Sequence, residues 1–137
     1  MVGHHIDLPI LLFTIFAIQH TFTFSFNVNV VADLHCPMST HWCHKSHLYK
    51  YDDVKVVTIA KTDEWYCIPG PKHWELLNGT LEDNADPDWW TQIFIEITHN
   101  CVSGDEFSVF HSQVDGFEAG RRHANVLFTR TLGDAQD

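Results

Sequence analysis

An all-β fold, a small antiparallel β-sandwich of about seven strands with at most one short helix, is predicted by three observations. Two stretches, residues 27–36 and 92–101, alternate apolar and polar side chains with the period of two that a half-buried strand requires. Five further short runs are rich in β-branched and aromatic residues. Between the runs stand turn formers, among them Asp52-Asp53, Pro69-Gly70-Pro71, Ser103-Gly104-Asp105 and Asp115-Gly116.

The elements follow in chain order. Residues 8–18 form an eleven-residue run without charge. That length suits the apolar core of a secretion signal and falls short of the ~20 residues that cross a bilayer. His4 and His5 stand where Lys or Arg normally precedes such a core. Residues 1–25 are therefore read as a signal peptide cleaved after Ser25, and residues 26–137 as a single extracellular domain. In the first strand, 27–36, Val28, Val30, Ala32, Leu34 and Cys36 share one face. Strands are then expected at 42–51, 54–60 and 64–68. Residues 72–77 are expected to make one or two helical turns stopped by Asn78-Gly79. In the strand 92–101, Ile93, Ile95, Ile97, His99 and Cys101 share a face. Two last strands are expected at 106–112 and 124–132.

Composition sets the class. The chain has 137 residues, 45% hydrophobic and 19% charged, which suits one globular core. The net charge is −10 with histidines neutral, and Asp7 is the only charge in the first 25 residues, so −9 falls on the remainder. Such a surface repels nucleic acid and anionic membranes, and Arg121-Arg122-His123 is too short a basic patch to reverse that. The four cysteines, Cys36, Cys43, Cys67 and Cys101, lack the close Cys-x-x-Cys pairs of a zinc site and read as two disulfides, for which three connectivities exist. Alternation points Cys36 and Cys101 into a shared core. A bridge between them closes a long loop, worth about 4 kcal/mol of chain entropy, and by elimination leaves Cys43 for Cys67. The other two pairings stay open at this level.

Several motifs carry candidate chemistry. Asn78-Gly79-Thr80 is an acceptor triplet for N-glycosylation, expected in a turn. His35, His41, His44 and His47 cluster with Cys36 and Cys43, yet on a strand His41 and His47 flank Cys43 while His44 points away. Two same-face histidines six residues apart lie ~20 Å from each other, too far to share an ion. Glu82, Asp83, Asn84, Asp86 and Asp88 form an acidic loop without the spacing or central glycine of an EF-hand. Trp89 and Trp90 follow it. Adjacent strand residues face opposite ways, so one of the two is a candidate partner contact. No Gly-x-Ser-x-Gly or phosphate-binding glycine loop is present.

From Asn27 onward the order of features resembles the nematode transthyretin-like family of secreted sandwiches. Residues 27–36 look like its first strand ending in a cysteine. Leu48-Tyr49-Lys50-Tyr51-Asp52-Asp53 is similar to its second, and Lys61-Thr62-Asp63 ahead of Pro69-Gly70 to its next step. The most specific piece is Ile95-Glu96-Ile97-Thr98-His99-Asn100-Cys101. The departures are Asp63-Glu64-Trp65-Tyr66 in place of a glycine turn, an expanded segment 71–89, and Cys43 and Cys67, which match no clear family position. The resemblance implies a transthyretin-like, immunoglobulin-like sandwich of seven or eight strands. It brings no hydroxyisourate hydrolase activity. Those relatives end in Tyr-Arg-Gly-Ser, and this chain ends Arg130-Thr131-Leu132-Gly133-Asp134-Ala135-Gln136-Asp137.

The function expected is that of a secreted, non-enzymatic extracellular protein that binds a protein, lipid or small apolar partner. No cofactor, metal, nucleic acid or stable membrane insertion is expected. Two other classes compete. A small secreted hydrolase or metal-dependent enzyme would bring His99, His111 or His123 within ~3 Å of a carboxylate in a pocket. A carrier would hold an apolar ligand between its sheets.

Overall fold

Alternation runs through nearly every element of the computed structural model, which describes residues 24–38, 41–52, 55–83, 90–102, 106–118 and 123–133. Eight strands form: β1 (Phe24–His35), β2 (His41–Asp52), β3 (Lys55–Lys61), β4 (Tyr66–Pro69), β5 (Lys72–Asp83), β6 (Trp90–His99), β7 (Ser108–Glu118) and β8 (His123–Thr131). They make a β-sandwich of two sheets. One has the order β5-β1-β8. The other runs β3-β2-β6-β7, with β4 paired to β2 end to end with β3. All pairings are antiparallel except β1 with β8, which run parallel.

Seven of the expected strands are present, and the expected helix at residues 72–77 is not. That segment is the first half of β5, a strand of twelve residues. Its register on β1, from Phe24↔Asp83 to His35↔Lys72, pairs one side of its backbone along the whole length. A pairing edge of that length outweighs the helix preference of Glu75-Leu76-Leu77. The expected strand 27–36 begins earlier, at Phe24. Cleavage after Ser25 would therefore remove the Phe24 and Ser25 positions that face Asp83 and Glu82. The remainder of the expected signal peptide, residues 1–23, lies outside the described residues.

The core lies where the two alternating faces meet. Val28, Val30, Ala32 and Leu34 of β1 are fully buried against Trp42 and Leu48 of β2 and Ile93, Ile95 and Ile97 of β6. Cys36 bonds Cys101, tying the end of β1 in one sheet to the second residue after β6 in the other. Cys43 bonds Cys67, joining β2 to β4 within one sheet. This is the pairing that strand alternation favours. Two such bridges belong to an oxidising, extracellular-like environment.

Two glycines are needed for the connections. Gly70 adopts φ 101° between β4 and β5, where a side chain would be strained, and its carbonyl accepts a 3.0 Å hydrogen bond from Trp42 Nε1. Gly79 lets β5 cross directly over the backbone of β3, closing that side of the sandwich. On the opposite side the Arg130 guanidinium lies 4.2 Å above the Phe110 ring, bridging β8 and β7.

Candidate functional site

The inward face of β2 carries Trp42, His44 and Ser46 in succession, and two of these three are polar. Strand pairing places Tyr66 of β4 on one side of His44 and His99 of β6 on the other. From the opposing sheet, β5 contributes His73 and Glu75. Their rings meet closely: His44 lies 5.3 Å from His73 and 5.2 Å from Trp42, and Tyr66 lies 4.8 Å from His73.

Hydrogen-bond logic assigns the imidazole tautomer. Ser46 Oγ donates its proton to Glu75 Oε2 at 2.6 Å, so its 3.3 Å contact with His44 Nδ1 requires that nitrogen to be the donor. His44 Nε2 is then a bare lone pair, fully buried and without a hydrogen-bond partner among the described residues. Burial, reinforced by His73 and His99, holds the His44 pKa at about 4. Burial likewise lowers His73 and His99, and raises Glu75 against the opposing pull of the Ser46 hydrogen bond. Although His44 Nδ1 lies 3.8 Å from Glu75 Oε2, the imidazole is neutral near pH 7 and no ion pair forms.

Chemically this is an inward-facing polar network with a neutral imidazole at its buried centre and Glu75 at its partly exposed edge. Ser46 stands between His44 and Glu75, whereas a charge-relay triad needs the imidazole between hydroxyl and carboxylate. Among the described residues no group of three His, Cys, Asp or Glu is arranged to hold a metal ion. His41, Cys43 and His47 share the outer face of β2, as alternation requires, and His44 points inward.

The histidines named for catalysis lie apart. His99 is buried, with Nδ1 accepting from the Cys101 amide at 3.2 Å. His111 Nδ1 lies 3.6 Å from Glu96 Oε2 on the outer surface of the five-stranded sheet, and His123 is exposed at the start of β8. No protein-family model, curated protein or solved structure matches this chain.

The outer face of the three-stranded sheet is the main exposed feature. Leu76, Val31 and Leu127 sit side by side across β5, β1 and β8. Leu76 is 60% exposed and Leu127 64%, and Trp74 in the next row is 61% exposed. On the other side of the leucines, Asn78, Asn29 and Asn125 form a polar row, with Asn29 Nδ2 donating to Asn125 Oδ1 at 2.9 Å.

Asn78 is therefore mid-strand and not in the turn expected for it. It is exposed on an edge strand, paired on one side only. Trp89 lies outside the described residues, as do Asn84, Asp86 and Asp88. The backbone of Trp90 opens β6 opposite Glu118, and its side chain is outside the described set. Sequence reading missed both the buried network and the leucine row because both depend on β5. Alternation through residues 72–83 was the available signal. His73, Glu75, Leu77 and Leu81 take one face, and Trp74, Leu76, Asn78 and Thr80 the other.

Proposed function

We propose that this chain is a secreted, N-glycosylated extracellular binding protein of transthyretin-like type that docks a protein partner through the outer face of β5, β1 and β8. The observation that carries this reading is the row Leu76–Val31–Leu127 with Trp74 beside it, large apolar side chains brought together across three strands of a chain with net charge −10. Adjacent large hydrophobics left in water mark a contact surface. An aromatic and aliphatic centre with a polar border, here Asn29, Asn78 and Asn125 on one side and Asp33 and Thr129 beside Trp74 on the other, has the composition of a protein–protein interface. A glycan on Asn78, two residues from Leu76 on the same face, would limit that surface on one side.

Catalysis is the weaker reading. The buried hydroxyl–imidazole–carboxylate grouping, Ser46–His44–Glu75, is in the wrong order and its serine is 2% exposed, while Tyr49 Oη and Glu96 Oε2 both approach the same nitrogen of His111, Nδ1, which leaves no relay through that ring. Carriage between the sheets is weaker as well, since the side chains of the core occupy that space.

The test is chemical cross-linking in the fluid surrounding cells that secrete the chain, followed by mass spectrometry. The wild type should capture a defined protein and a Leu76→Asp/Leu127→Asp variant should lose it. Equal capture by both would defeat the docking face. The same spectra report the cleavage site, the bridges and the mass on Asn78. A full-length product retained in cells would defeat secretion.

A further inference from the structure

The two disulfides occupy opposite environments. Cys36 and Cys101 are 0% exposed and tie the two sheets together through the core. Cys67 is exposed and Cys43 half-buried, on the outer face of the five-stranded sheet. We propose that Cys43–Cys67 is an exchange site for extracellular thiols, and that opening it releases β4 while Cys36–Cys101 keeps the sandwich assembled.

The chemistry follows from access and charge. A thiolate from a small or protein thiol attacks the exposed Cys67 Sγ and forms a mixed disulfide there. The Sγ–Sγ bond breaks and its electron pair leaves on Cys43 Sγ. A second thiol then attacks the mixed disulfide, freeing Cys67 as a thiol. The two reducing thiols depart as their own disulfide, and the protein has gained two electrons and two protons. Lys45 favours the first step. It lies two residues from Cys43 on the same strand face, with the two Cα atoms ~7 Å apart, and a positive charge on that face favours the departing thiolate. The ammonium is held in place by a 2.8 Å hydrogen bond to the Asp63 carbonyl and by the Trp65 ring, whose centroid is 5.2 Å away. No comparable access exists to Cys36 or Cys101, since an attacking thiolate must reach a sulfur along the bond axis.

Opening this bridge has a mechanical result. β4 is four residues long and, among the described residues, pairs only with β2. Its Tyr66 ring covers His44 and His73, and Ile68 beside Trp42 is nearly buried. Once the covalent tie is gone, a four-residue edge strand retains few interactions, so water gains entry to the inward face of β2.

The experiment exposes the oxidised, secreted chain to reduced glutathione under native conditions, with timed differential alkylation and mass spectrometry. Cys43 and Cys67 should become reduced at least about tenfold faster than Cys36 and Cys101. Glutathione should appear on Cys67, and backbone hydrogen exchange should rise in residues 66–69 before β1 or β6 changes. Lys45→Gln, which leaves both sulfurs in place, should slow the exchange severalfold. Reduction of all four cysteines together, or of Cys36 and Cys101 first, overturns the proposal. So does resistance of Cys43–Cys67 until the whole domain unfolds. An unchanged rate in Lys45→Gln overturns the role given to that ammonium.

Discussion

Gly79 of β5 and Ile59 of β3 meet backbone to backbone: a Cβ placed on Gly79 would collide with the Ile59 carbonyl oxygen. The middle residue of the glycosylation triplet is thus a packing residue, and it closes one side of the sandwich.

Gly79→Ala keeps the acceptor sequence but cannot fit without moving one strand. A loss of about 2–3 kcal/mol is expected, the scale of overpacking in a rigid core. Thr80→Ala removes the acceptor and only one exposed hydrogen bond, from Thr80 Oγ1 to Asn27 Oδ1. Its loss should stay below about 1 kcal/mol. Urea midpoints of the two variants check both values, and similar midpoints would refute the close approach.

Acid should weaken the fold through His44. Its folded pKa, about 4, lies below the ordinary value of 6.5. The unfolded chain therefore binds the proton first. Stability is full above pH 6.5, declines as pH falls towards 4, and levels off below that. The magnitude is about 3 kcal/mol for this group. His73 and His99, also lowered, act in the same direction, whereas Glu75, raised, acts against them. Melting temperature followed through this range should flatten in His44→Phe. An unaltered slope in that variant would place the acid sensitivity elsewhere.

Replacing Cys36 and Cys101 by alanine should cost about 4 kcal/mol, the chain entropy of a 65-residue loop. In a domain of this size that is a large share of the total stability. The expected result is a cooperative unfolding transition shifted to much lower denaturant. Loss of the Cys43–Cys67 bridge, which spans 24 residues, should cost less. Midpoints in the reverse order would be incompatible with the cross-sheet bridge as the main tie.

Leu76→Asp and Leu127→Asp alter side chains already 60% and 64% exposed. Each should change stability by no more than about 0.5 kcal/mol, the range of surface substitutions. Leu48→Ala or Ile95→Ala, at fully buried positions, should cost about 2–5 kcal/mol. Thermal melts of the four variants separate the docking face from the core, and a collapse of the first pair would mean that the leucine row is structural.

How far the sequence led depends on the kind of signal each residue carries. Val28, Val30, Ala32 and Leu34 declared their strand and its buried face locally, and Ile93, Ile95 and Ile97 did the same. Cys36 and Cys101 inherited their direction from those strands, so a bridge between them was favoured while the other two pairings stayed open. The segment containing His73, Trp74 and Glu75 was not. Its composition fits a helix turn, and only the free edge of β1 makes it a strand. The candidate site inherits that blindness, because His44 could be separated from the face of His41, Cys43 and His47 whereas its partners His73 and Glu75 come from the strand that was misread.

By itself the sequence determined the alternating strands, the faces they bury and the direction of the cysteines, because a pleated chain places neighbouring side chains on opposite sides whatever surrounds it. Tertiary structure alone decided the partner edge that makes residues 72–77 strand and not helix, the parallel pairing of β1 with β8, the inward-facing His44–Ser46–Glu75 network and the exposed row Leu76–Val31–Leu127. Each of these joins residues distant in the chain, and which edge a strand finds is settled by the free energy of the whole assembly.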